Sequence, residues 1–180
     1  MIYSYEDCIQ KYGNHYQLEK ALKDGDVFKI DNGIYSTDKH PKDLEIFVYR
    51  HSKAIFTMES ALFYLGISDV VPNTYVVATD KDGTKYKDEN IKQYFLNNSL
   101  LNIGVTTIKY NGVSILSYNK ERMLIEIIRY RNKVSFDYYK EIIGYYRNHI
   151  NEIDIKLVLE YLELFPKKSL IFNIIQLEVI

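Results

Sequence analysis

The sequence predicts an α+β fold, and three observations predict it. Glycines and Asn-Gly pairs stand where tight turns are needed between short β-branched runs. Capping residues precede runs of helical period near the N-terminus. From Asn119 onward the apolar residues recur at helical spacing almost without interruption. Together they outline a small N-terminal winged helix-turn-helix over residues 1–40. A larger mixed α/β domain over 41–180, ending in a helical bundle, is expected behind it.

Taken in order, Ser4 can cap a first helix that runs to about Tyr12, with Asp7 completing a capping box. Gly13 ends that helix and Asn14 starts the next, with Gln17 three residues on. Leu18, Ala21 and Leu22 share one face of this second helix, and Gly25 closes it. Val27–Ile30 reads as a strand, Asp31-Asn32-Gly33 as a type I′ hairpin turn, and Ile34–Ser36 as the returning strand. Pro and charge at His40–Asp43 mark the expected boundary. Helices follow from Leu44 to about Ser52 and from near Thr57 to Gly66, with Ala61, Leu62 and Leu65 on one face. Tyr75–Ala78 has the composition of a buried strand, and Ile103–Tyr110 with Val113–Tyr118 make a hairpin around Asn111-Gly112. Helices are then expected over Lys120–Tyr130, after Ser135, after Asp154 up to Pro166, and after Ser169.

Composition narrows the function classes. The formal net charge of −1 carries no bias towards polyanions over the whole chain. The single Cys8 excludes an internal disulfide framework and fits a reducing cytoplasm. No secretory signal and no membrane-spanning run is recognisable. Eighteen tyrosines without a tryptophan have two readings. One is the codon bias of an AT-rich coding sequence; the other is a stacking platform for bases, which needs several tyrosines on one exposed face.

Little points to catalysis. His15, His40, His51 and His149 lack metal-ligand spacing, and there is no GxSxG, Walker loop or GxGxxG. No cofactor or metal is expected, and an enzyme is not supported. Glu121-Arg122 reads as a helix start with a local ion pair; acid–base catalysis there would need a second partner.

Several separated segments resemble the AbiEi family, the antitoxins of bacterial type IV toxin–antitoxin (abortive infection) systems. Leu18, Leu22, Gly25, Val27 and Gly33-Ile34-Tyr35 are similar to its wing signature. Ser60-Ala61-Leu62, Gly66-Ile67-Ser68-Asp69 and Pro72 look like its middle segment, and Tyr118–Leu124 is similar to its "y-d-x-E-R-T-L". The resemblance implies an N-terminal module that binds operator DNA near its own promoter and represses it. It also implies a C-terminal part that opposes a co-encoded nucleotidyltransferase-like toxin, in many members without a stable complex. This chain departs from the family in a reduced first helix and in Met123 and Glu126, which replace the usual Thr and Asp. Its first 40 residues also carry five lysines against seven carboxylates.

If residues 14–24 form a recognition helix, Asn14, His15, Tyr16 and Gln17 face base edges or phosphates, and Gln17 suits adenine. Lys20 and Lys23 suit phosphates, and Lys29 and Asn32 on the wing suit the backbone or minor groove. The other reading is that Asn14 and Gln17 only cap the helix and the lysines only solvate a face. A protein-interaction module that neutralises a toxin without binding DNA is the alternative function, motivated by the acidic balance.

Overall fold

The computed structural model describes residues 1–180, which form two compact units, Met1–Ser52 and Lys53–Ile180. The expected α+β class holds, with a helix–turn–helix-like pair at the N-terminus and a mixed domain ending in helices.

In the first unit, β1 (Ile2–Ser4) leads into α1 (Tyr5–Tyr12) and α2 (His15–Asp24). β2 (Phe28–Asp31), β3 (Ile34–Ser36) and α3 (Asp43–Arg50) complete it. Both helices start where the sequence places them. Ser4 Oγ accepts the Asp7 amide at 3.0 Å while the Asp7 carboxylate accepts the Ser4 amide at 2.8 Å, a closed capping box. Asn14 Oδ1 accepts the Gln17 amide at 3.0 Å, and Gly25, at φ 81°, closes α2. The three strands are antiparallel in the order β1-β3-β2. Cys8, Leu18, Ala21, Val27 and Tyr35 form the core between helices and sheet.

Two expectations change here, and one strand is added. The strand β1 was not legible: it has only three residues and exists through its pairing with β3. The turn at Asn32-Gly33 is not type I′, because only Gly33 has a positive φ, 72°. Asp31 Oδ1 accepts the Asn32 amide at 2.6 Å, and an irregularity in the β2–β3 register between Lys29 and Asp31 supplies the adjustment instead. Finally, α3 falls within the first unit, so the division lies after Ser52 and not at residue 40.

The second unit is built on a five-stranded sheet in the order β6-β5-β4-β8-β7. Its strands are β4 (Ile55–Phe56), β5 (Tyr75–Asp80), β6 (Ile91–Leu96), β7 (Val105–Tyr110) and β8 (Val113–Tyr118). β4 runs antiparallel to β5 and parallel to β8, while β5 and β6 are parallel. The crossing from β5 to β6 contains no helix. The Gln93 side chain holds it, accepting the Tyr86 amide at 2.9 Å and donating to Thr79 Oγ1 at 2.7 Å and the Thr84 carbonyl at 3.1 Å. At the β7–β8 turn Asn111 and Gly112 both have positive φ, 48° and 86°, as a type I′ turn requires.

α4 (Met58–Tyr64) buries Ala61 and Leu62 completely, and a short α5 (Asn98–Leu101) precedes β7. α6 (Lys120–Arg129), α7 (Phe136–Asn148), α8 (Ile155–Leu162) and α9 (Lys168–Glu178) follow. Asn119, Ser135 and Asp154 cap α6, α7 and α8. Residues 122–128 of α6 are all buried, so this helix is covered on every side. Tyr139 donates to Glu178 at 2.8 Å and Arg147 to the Glu178 carbonyl at 2.6 Å, tying α7 to the end of α9. No helix is long and apolar enough to cross a membrane.

Candidate nucleic-acid interface

The chemistry of the first unit is set by what α2 leaves uncovered. Leu18 and Ala21 are buried and Leu22 packs against the same core. Helical geometry therefore turns residues 16, 20 and 23, spaced i, i+4 and i+7, to the opposite side. Tyr16 is 75% exposed, and Lys20 and Lys23 are exposed beside it. One aromatic ring and two ammonium groups thus share the outward stripe of the helix.

The other sequence-predicted positions are exposed too, in different roles. Asn14 spends its side-chain oxygen on the α2 cap. The His15 ring lies with its Nδ1 3.4 Å from the Tyr5 hydroxyl, which orients it across the helix–helix turn. Gln17 presents an exposed side chain in the first turn of α2, where no carboxylate stands. Lys29 lies on β2, away from the core, and Asn32 sits at the hairpin tip. All eight candidates are therefore solvent-accessible, and those on α2 and the hairpin belong to one compact unit.

Electrostatics sharpen this. The unit holds seven Lys and Arg against nine Asp and Glu. Four of the nine are engaged within the unit, Asp38 by accepting the His40 amide at 2.9 Å. Asp7 closes the α1 capping box, and its carboxyl is held below its ordinary range by the Ser4 amide. Asp31 is held low by the Asn32 amide and by Arg50, whose guanidinium pairs with it. Glu45 lies 3.4 Å from the terminal amine. The outward lysines of α2 make no such ion pair. Sequence reasoning missed Arg50; neutralising the hairpin-tip carboxylate from α3 needs a contact nineteen residues apart, which no local pattern announces.

In the second unit Glu121 and Arg122 make separate contacts. Neighbours on a helix point about 100° apart. Glu121 Oε1 accepts the Asp154 amide at 3.2 Å at the start of α8. Arg122 is fully buried and donates through Nε and Nη2 to Glu126 Oε1 at 2.9 and 2.6 Å, so the ion pair is i,i+4 and not local to the motif. Arg129 Nη1 grips both Glu126 oxygens at 2.8 and 2.9 Å. Arg122 Nη1 donates to the Leu100 carbonyl at 2.9 Å. Its guanidinium lies over Tyr118 and Phe165, 4.6 and 4.4 Å from their ring centres. The two arginines and one carboxylate knit α6 to the α5 segment.

No group of His, Cys, Asp and Glu is arranged to hold a metal ion. No protein-family model matches the chain, and no curated protein matches it.

Proposed function

We propose that the chain is a DNA-binding regulator of the AbiEi antitoxin kind: its first unit, a winged helix-turn-helix, represses its own operon, and its second unit counteracts a co-encoded nucleotidyltransferase-like toxin. The observation that carries the DNA half is the order strand, helix, tight turn, helix, hairpin, with the sheet in the order β1-β3-β2. That order leaves the Tyr16-Lys20-Lys23 stripe and the hairpin tip uncovered. In such a module the second helix enters the major groove and the hairpin flanks it. The toxin half rests on the resemblance of the segments around Ser60, Gly66 and Tyr118.

The seven-to-nine charge balance makes the unit a weak binder alone, since phosphate neutralisation supplies most non-specific affinity. The same balance favours a second reading, a toxin-neutralising interaction module without DNA binding. Fluorescence anisotropy with a labelled duplex from upstream of the reading frame separates the two. Binding that weakens with salt supports repression by DNA contact. Folded protein that leaves the duplex free at low ionic strength removes it.

A further inference from the structure

We propose that the second unit binds single-stranded nucleic acid on a basic, aromatic surface where edge strand β6 meets the end of α6 and the start of α7. This goes beyond duplex recognition by the first unit and stands whether or not that unit binds DNA.

Residues 129–140 hold Arg129, Arg131, Lys133 and Lys140 against one carboxylate, Asp137, in a chain whose net charge is −1. Three aromatic residues with exposed or partly exposed rings are interleaved with them, Tyr130, Phe136 and Tyr138, while Tyr139 is buried against Glu178. The fold adds β6 to this stretch. The Tyr94 ring meets Tyr130 edge-to-face at 5.2 Å, and Lys92 Nζ lies 5.5 Å from the Tyr94 ring centre. Lys133 Nζ is 5.0 Å and the Arg129 guanidinium 5.4 Å from the Tyr130 ring centre, and Lys140 Nζ is 5.4 Å from that of Phe136. β6 ends the sheet, so no further strand covers this side.

Two of the cations already have work: Arg129 grips Glu126, and Lys92 lies 3.5 Å from Glu59. Arg131, Lys133 and Lys140 form no ion pair, and Lys133 and Lys140 are exposed. Phe136 is 72% exposed, a large ring in water beside the Lys140 ammonium. One exposed ring and half-buried tyrosines beside cations match the chemistry of an unpaired strand, whose bases stack while its phosphates meet Lys and Arg. A duplex hides its base faces and cannot use Phe136.

The test uses the full chain carrying Lys20→Ala and Lys23→Ala, so that failure of the first unit's DNA contact does not bear on the result. Labelled oligo-dT and oligo-U of about 12 nucleotides, within one site length, and a duplex of equal length are titrated by anisotropy at low salt. Both single strands are expected to bind more tightly than the duplex; a preference between them, which differ in the 2′-OH and the base methyl group, supports the proposal either way. Phe136→Ala, at an exposed position, is expected to weaken single-strand binding about tenfold, the loss of one stacked base, and to leave the duplex unchanged. Arg131→Glu with Lys133→Glu is expected to abolish binding. No single-strand binding overturns the proposal, and so does duplex binding of equal strength that Phe136→Ala leaves untouched.

Discussion

Replacing Glu126 by Gln keeps the shape of the side chain and removes one charge from the centre of the second unit. The carboxylate accepts from Arg122 at 2.9 and 2.6 Å and from Arg129 at 2.8 and 2.9 Å. With Gln there, the fully buried Arg122 guanidinium keeps only neutral acceptors, the amide oxygen and the Leu100 and Ile103 carbonyls, and loses its counter-charge. Arg129 is partly exposed and can turn to water; Arg122 cannot. Breaking a buried pair in this way costs about 3–5 kcal/mol. For a unit of this size that corresponds to a fall in Tm of roughly 10–25 °C. Thermal and urea unfolding by circular dichroism, at the same protein concentration, measure it. The double variant Arg122→Met with Glu126→Leu removes both charges and is expected to recover most of the loss. A Glu126→Gln protein within about 0.5 kcal/mol of the original, the range of neutral surface changes, would refute the reasoning. The network would then be no more than a contact.

Three further outcomes follow from the same geometry. Gly104→Ala is expected to destabilise the second unit by about 2–5 kcal/mol, from left-handed strain and overpacking together, in urea unfolding. Residue 104 has φ 71°, and a new Cβ would lie 2.6 Å from Arg122 Cβ and 2.9 Å from Asn119 Oδ1. Ser4→Ala removes the α1 cap and is expected to cost about 1 kcal/mol. Because the Ser4 amide and hydroxyl hold the Asp7 carboxyl below its ordinary 3.8 in the folded chain, the carboxylate half of the capping box contributes above that pH and is lost as the pH falls through the folded value, whereas the Ser4 Oγ bond to the Asp7 amide does not titrate. A pH series of unfolding for the parent and Ser4→Ala proteins is therefore expected to narrow the gap on the acid side without closing it. Cys8 is fully buried and burial pushes its thiol up, so iodoacetamide at neutral pH is expected to spare it until denaturant is added.

How much the sequence reveals depends on whether a feature is local. The caps at Ser4, Asn14, Asn119, Ser135 and Asp154 lie within three residues of the amides they bind, and each marks a helix start in the fold. Asn111-Gly112 likewise carries its hairpin alone. β4 and β6 are different. Two residues, Ile55 and Phe56, make a strand only because β5 and β8 flank them. β6 follows a charged loop and pairs in parallel with β5, a partner that no turn signal announces. The candidate site divides the same way. Tyr16, Lys20 and Lys23 were readable as positions, but their shared exposure required knowing which face α2 buries. The Arg122–Glu126 pair had a legible signal in its i,i+4 spacing, masked by the adjacent Glu121. The Tyr94–Tyr130 contact joins distant segments and had none.

The central claim is that α2 meets DNA through its outward stripe, and the salt dependence of binding tests it most directly. Anisotropy titrations with the upstream duplex, repeated across ionic strengths, give the slope of log K against log salt for the parent chain and for Lys20→Ala with Lys23→Ala. Two lost phosphate contacts are expected to flatten the slope by about 1.8 and to weaken binding to operator and unrelated duplex alike. Equal slopes and equal affinities for the two folded proteins would contradict it.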